Sequence, residues 1–568
     1  MINGSPINGG PINGIAAQSI APPAPITAGY AFVWALRLTV DGVDMTASLT
    51  GSVTVDREEG AAGTASFTLH LATGTVVPDS WRGKVVTIDY LSTTAGVTTE
   101  VRRYTGRISD PTYSLTLRLL ECQCSDQLQQ RVEALSVASV DALIGGYWSE
   151  DVFEPVEGRS RWDYAQERLA SLPYSLECSA YGDLRTTTWF AKEPAFVFGA
   201  GTTIYDSMSV DLADLSSLIN KVEIDAEYRF QRLRQRNEQY SWIIPGAVTG
   251  GFCNWRIDST ELPDVDMIVS AVEGVGYTML DASYGRLPGD SVDPCGNGIA
   301  WNNEYHDLLL SAGWKGAMRW AQSVTEQYAF TLVAEASVTA SGEQISRDRV
   351  SVEVESEKGE TWETEEFTDG VSGHEDVRDE ERRQAALKCM LHQAQTQIYE
   401  AHRTTTVSWT APTSMVMDID LVHTLKVDDQ SVLAQGKCVR IADTFDLDAG
   451  LATTALSIAV MRGGGDVTDP LILPPYSTEP QPDPDGASPY PGGLPNQIGG
   501  KGGVPPYDEE RYGFSGNYSV SDIADPVKYP RRFKSPSPEI GEELRDELEV
   551  PIAATYRVAI PNDLLELN

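Results

Sequence analysis

The sequence predicts a mainly β fold with α+β insertions, and three observations carry that prediction. Forty-nine glycines and 32 prolines in 568 residues, with few long apolar periods, call for many turns between short extended segments. Three strand-like runs follow one another at 421–427, 436–445 and 452–460. In the last of them Leu456, Ile458 and Val460 alternate with Ser457 and Ala459, the period of a half-buried strand. Asp446, Asp448 and Gly450 mark the reversal before it. Near the start, Trp34, Leu36, Leu38 and Val40 alternate with Ala35, Arg37 and Thr39, and Asp41-Gly42 ends the run.

Length and charge bound the possibilities. The chain is long enough for several domains and a sizeable core. Forty-three basic and 82 acidic residues give a net charge of -39, which argues against a surface that replaces phosphate counterions on nucleic acid. The seven cysteines, Cys122, Cys124, Cys178, Cys253, Cys295, Cys389 and Cys438, are odd in number and irregularly spaced. They show no disulfide framework and no zinc motif, and read as buried thiols formed in a reducing compartment. Cys122 and Cys124 sit two apart on a strand and so share a face. The opening residues have neither a basic nor an apolar signal-peptide region, and no apolar run reaches the roughly 18 residues of a membrane span.

Taken in order, residues 1–31 form an extended arm. Ile2-Asn3-Gly4, Ile7-Asn8-Gly9 and Ile12-Asn13-Gly14 repeat at a period of five with Pro6 and Pro11 between, a turn-rich pattern that excludes a helix. The arm reads either as disordered or as docked on a neighbouring subunit. Residues 32–131 read as an antiparallel β domain with strands near 53–56, 66–71, 85–90 and 115–124. Residues 132–240 are α+β: a helix at 162–172, with Trp162, Ala165, Leu169 and Leu172 on one face, then a hairpin across Tyr181-Gly182-Asp183. The strand beginning at Asn220 continues into a basic run holding Arg229, Arg232, Arg234 and Arg236. This run is either a solvated strand face or a contact with an acidic neighbouring subunit.

Residues 241–374 are an aromatic-rich α+β insertion with Trp242, Trp255, Trp301, Trp314 and Trp320. The spacing of Ala317, Trp320, Ala321, Val324 and Tyr328 predicts a helix over 313–328. The tryptophans serve either core packing or a sugar- or receptor-binding surface. Over 351–357, Val352 and Val354 face one way and Glu353, Glu355 and Glu357 the other, an amphipathic strand with a carboxylate ridge. Residues 375–402 predict the longest helix, with Ala386, Met390, Ala394, Ile398 and Ala401 as its stripe. It leads into the strands ending at 462. Residues 463–568 begin as a Pro/Gly-rich linker. They continue with a short helical candidate in GEELRDELE and a terminal strand within 550–567. This C-terminal arm reads as docking elsewhere in an assembly, as an attachment for another protein, or as a plain disordered tail.

The strand Asp420-Leu421 with Thr424 and Val427 is followed by a hairpin carrying Gly436, Lys437, Val439, Asp446, Gly450 and Thr453. This arrangement resembles the closing barrel of tail-hub (baseplate hub) proteins of tailed bacteriophages. The succession V-x-V-D-R-E, Y-T-G-R-I-S-D and L-x-L-R-L-L-E-C upstream looks like the first barrel of the same family. The two stretches bracket most of the chain between Phe32 and Val460, and the N-terminal repeat is similar to openings of phage tail-tip proteins. The resemblance implies two hub-type antiparallel β-barrels in each of three copies. The six barrels then match a six-fold tail tube to a three-fold tip and enclose the channel for the tape-measure protein and DNA.

Partners implied are a homotrimer, the distal tail protein, the tape measure and central fibre or tip proteins. The implied location is the virion tail tip, assembled in the host cytoplasm. The long C-terminal arm and the lack of a hydrolase module lean towards a long non-contractile tail. In such a ring the ridge Glu353, Glu355 and Glu357 would line the lumen.

No catalytic constellation stands out. His374-Glu375 lacks the second histidine of a metalloprotease helix, and there is no nucleophile elbow, P-loop or C-x-x-C. Gly499 to Gly503 resemble a phosphate loop only in composition. No cofactor or metal site is expected, and the chain reads as a non-enzyme. Two alternatives remain open: a receptor- or carbohydrate-binding tail adhesin, and a peptidoglycan hydrolase of the tail tip using an undistinguished carboxylate pair.

Overall fold

The computed structural model describes residues 23–27, 32–243, 264–286, 290, 298, 309–346, 352–355, 370–476 and 540–567. The chain is mainly β with a few helices. The N-terminal repeat, the Pro/Gly-rich linker from residue 477 on, Trp255, Trp301 and Glu357 lie outside the described residues.

The first part is a rolled antiparallel sheet. Its strands lie in the order Leu49–Glu58, Thr64–His70, Leu119–Ser125, Val97–Ser114, Val85–Thr94, Val33–Val40. Alternating residues from all of them, such as Leu38, Val55, Phe67, Ile88, Ile108 and Cys122, make one core. Strands at both ends of the order share that core, so the sheet curls on itself. The thiols of Cys122 and Cys124 are buried on its inner face, and burial pushes that of Cys122 up to about 12.

A second rolled part uses Thr405–Pro412, Thr424–Asp429, Val432–Asp446 and Leu451–Val460, around Trp409, Leu425, Ile441, Leu456 and Ile458. Short strands Ala24–Ile26, Phe196–Phe198 and Ser209–Asp211 extend it. Strand Val432–Asp446 binds the two parts together. It pairs with Thr424–Asp429 and Leu451–Val460 in its own part and with Leu49–Glu58 in the first. The result is one 15-stranded sheet.

Between these parts in sequence lies a ribbon. Lys221–Ile243 and Leu309–Val333 pair antiparallel without a break from Lys221↔Val333 to Ile243↔Ser311. At about 3.3 Å per residue it runs to roughly 75 Å. The helix predicted over 313–328 is therefore a strand. The apolar spacing matched a helical face, but Val324, Glu326, Tyr328, Phe330 and Leu332 are all buried at period two. An equally long partner strand decides the conformation over local pattern.

The long helix spans Glu380–Ala401, with the side chain of its N-cap Asp379 accepting from the Arg382 amide. It starts later than predicted, because Gly370–Val377 is a strand paired with the ribbon. Ala386, Met390, Ala394 and Ile398 pack on Val222, Ile224, Tyr228 and Phe230. The helix Arg161–Leu169, capped by Ser160, and the hairpin Tyr174–Cys178 with Leu184–Thr188 follow the sequence reading.

The C-terminal arm docks on its own chain, which corrects the expectation of docking elsewhere or trailing free. After one helical turn, Glu542–Arg545, strand Leu548–Arg557 pairs parallel with residues Val324 to Val333 of the ribbon. Tyr556, Val558 and Ile560 enter the core between helix and ribbon, and Leu565–Leu567 pairs with Val432 to Ala434.

Candidate functional site

The residues that the sequence singled out in its closing strands meet at the joint between the two rolled parts. Asp420 sits at the centre. Its Oδ1 accepts from Arg57 Nη1 at 2.7 Å and its Oδ2 from Arg185 Nη1 at 2.7 Å. Arg57 belongs to the first part, Arg185 to the hairpin and Asp420 to the second part, so one carboxylate ties three regions. Arg185 also forks onto Glu177 Oε1, at 3.0 and 2.8 Å. Lys437 is 2% exposed and donates to the carbonyls of Leu421 and Cys438. Arg403, just past the long helix, pairs with Glu59 and lies over the Trp189 ring.

The electrostatics follow from this crowding. Burial works to raise the Asp420 carboxyl, but the Arg57 and Arg185 guanidiniums outweigh it and hold it well below the usual carboxylate range. Burial pushes Glu177 up, against the pull of Arg185, and draws Lys437 down, against Glu59 and Glu177. The His423 ring accepts from the Asp420 amide through Nδ1 at 2.9 Å, which places its proton on Nε2.

Backbone geometry explains the rest of the motif. A Cβ at Gly436 would lie 2.2 Å from the Ala459 carbonyl oxygen, so only glycine lets the strands approach there. The ladder slips between Cys438 and Arg440, leaving Val439 as a bulge whose carbonyl accepts from Glu59 of the first part at 2.8 Å. Asp446 accepts from the amides of Asp448 and Ala449, and Gly450 follows with a φ of 68°. Thr424 Oγ1 accepts from the Lys192 amide, at 2.8 Å.

A second lock, which sequence reading missed, lies deeper. Arg103 donates from Nε and Nη2 to both oxygens of Asp443 at 2.8 Å, and from Nη1 to the Met417 carbonyl at 2.7 Å. Thr454 Oγ1 donates to Asp443 Oδ1 at 2.7 Å. Nearby, the rings of Trp34, Tyr90 and Phe445 form a mutual cluster, with the Tyr90 hydroxyl 2.6 Å from Ser414 Oγ. One signal was available, for Asp443, which shares the inward parity of Ile441 and Phe445. Arg103 gave none, because it is the extra residue of a bulge opposite Ile88 and Asp89. That bulge turns its side chain inward.

The four ribbon arginines do not form one exposed face. Arg232, Arg234 and Arg236 are 1%, 1% and 4% exposed, which corrects their reading as a subunit contact. They share the inward parity of Tyr228 and Phe230. Arg234 Nε donates to Gln322, whose amide donates to the carbonyls of Glu543 and Asp546 at the C-terminal turn. Arg229 remains at the surface and pairs with Glu547 at 3.2 Å. Glu353 and Glu355 lie on Val352–Glu355, parallel to the ribbon and opposite Glu227 and Arg229 in the ladder.

The joint can hold geometry; among the described residues no group of three or more His, Cys, Asp or Glu is placed to hold a metal ion. Among the described residues no helix is long and apolar enough to cross a membrane.

No protein-family model matches the chain, and neither does any curated protein. Solved structures that it is similar to include a tail protein from Neisseria meningitidis MC58. That likeness has 10% identity and a TM-score of 0.36, over 75% of this chain and 96% of the other. The 43 kDa tail protein of prophage MuSo2 from Shewanella oneidensis shares 11% identity with a TM-score of 0.36, over 75% and 98%. Prophage tail protein gp18 from Listeria monocytogenes EGD-e shares 7% with a TM-score of 0.30, over 75% and 94%.

Proposed function

We propose that this chain is a structural hub subunit at the distal tail tip of a tailed bacteriophage, and not an enzyme. The observation that carries the reading is the joint. Of the residues on which the sequence resembles tail hubs, Asp420 and Val439 bond across to the first rolled part, through Arg57 and the Glu59 amide, while Gly436 and Lys437 hold the second part's own strands together beside that joint. A unit of two sheets held at a fixed angle is what a ring needs if three copies are to present six barrels to a six-fold tube. In this reading residues 32–131 and 375–462 supply the barrels, and 132–240 with 241–374 fill the space between them. The ring encloses the channel for the tape measure and the genome, and contacts the distal tail protein above and tip proteins below. Assembly takes place in the host cytoplasm, and the tail is of the long non-contractile kind.

The net charge of -39 suits a wall along which DNA passes without being held. Glu353, Glu355 and Glu357 stay the candidate lumen residues, and Arg229 a candidate subunit contact. Sedimentation equilibrium of the purified full chain tests the reading. A mass of three copies is expected, and a mass of one copy at every concentration would contradict it.

A further inference from the structure

We propose that the cleft between the long helix and the hairpin Tyr174–Cys178 with Leu184–Thr188 is the docking site for this chain's own N-terminal arm, residues 2–22. The cleft measures about 440 Å³, within the usual range for a site that holds a small ligand or a few side chains. Its floor is apolar, from Val222 and Ile224 of the ribbon and Met390 of the helix. Its rim carries the amides of Gln166 and Gln393, each able to donate to and accept from a peptide group. Among the described residues, Glu400 is the one charged residue lining it.

The direction of the arm is set by strand pairing. Ala24–Ile26 runs parallel to Phe196–Phe198, with Ala24 opposite Phe196 and the Ala24 amide donating to the Ala195 carbonyl. Because the two strands are parallel, the chain before Ala24 leaves the sheet at the same end as the chain before Phe196. Seven positions before Phe196 is Trp189, a wall of the cleft. That distance is at most about 25 Å of extended chain, and 20 residues reach roughly 70 Å.

The composition of the arm matches the cleft. Residues 1–31 contain no Asp, Glu, Lys or Arg, in a chain otherwise dense in carboxylates. Ile12 and Ile15 supply apolar side chains for the floor, and the Asn13-Gly14 peptide between them supplies backbone groups for the glutamine amides.

The test uses the full chain with a benzoylphenylalanine photoprobe at Gln393, co-assembled from isotopically light and heavy copies, irradiated, and mapped by mass spectrometry. The expected result is cross-links to residues 2–22 within one isotope label. Mixed-label cross-links would assign the cleft to the arm of a second copy and overturn docking within the chain. Cross-links to any other segment, or none, would overturn the arm as occupant. The double substitution Ile12→Asp with Ile15→Asp, in full-length protein of unchanged circular dichroism, is expected to cut the cross-link yield about tenfold. An unchanged yield would overturn the proposal.

Discussion

The Arg103 and Asp443 side chains are 1% and 0% exposed, so each neutralises a charge that water cannot reach. Removing one partner strands the other. Arg103→Met is expected to cost about 3–5 kcal/mol in urea unfolding, whereas Arg103→Met with Asp443→Leu together recovers most of it. A double-variant loss equal to the sum of the Arg103→Met and Asp443→Leu losses would show that the pair is not coupled. Asp420 makes a pH-dependent contribution of definite sign. Its folded-state pKa lies below the unfolded value, so it adds stability above the unfolded carboxylate pKa of about 4 and loses it as pH falls through the folded value. Glu177, raised by burial, acts in the opposite sense. Asp420→Asn is expected to melt earlier than the parent near neutral pH and to lose less stability between about pH 5 and about pH 3. Parallel melting curves against pH would contradict this. At this scale the sequence was legible where a motif resemblance picked the residue out, as with Asp420 and Gly436. It was opaque where a bulge reset the parity, as with Arg103, because a bulge leaves no residue signature of its own.

The elements read most clearly where one face is buried and the other wet. Strands 452–460 and 33–40 show that alternation and fold as expected. The ribbon strand Leu309–Val333 was misread because its apolar residues also satisfied a helical face, and its partner lies far away in sequence. The same partner hid the burial of Arg232, Arg234 and Arg236, which look solvated in a strand considered alone.

Two tests belong to this scale. Gly436→Ala is expected to cost at least about 1–3 kcal/mol, because the new methyl would overlap the Ala459 carbonyl. Gly199→Ala, with open space around it and no left-handed backbone, should stay within about 0.5 kcal/mol of the parent by the same unfolding measurement. Ending the chain after Tyr476 removes the strand that covers one edge of the ribbon. Hydrogen exchange should then accelerate at the alternate amides of residues Val324 to Val333 that face Leu548–Arg557. Unchanged protection would mean that the C-terminal strand is dispensable to the ribbon.

For the whole molecule, the two rolled sheets, the ribbon and the long helix form a frame closed by two C-terminal strands, Leu548–Arg557 on the ribbon and Leu565–Leu567 on the second sheet. The composition announced turns and strands, but not that one strand, Val432–Asp446, would serve both sheets, since that depends on which edges meet. In the proposed ring the acidic strand Val352–Glu355 is the candidate channel feature. Replacing Glu353, Glu355 and Glu357 together by glutamine is expected to slow genome ejection, and ejection at the parent rate would remove these residues from the lumen. The most direct measurement on the central claim is class-averaged electron microscopy of the purified full-length protein. The hub account predicts three-fold rings with a central hole. A population of single, ringless particles at all concentrations would contradict it.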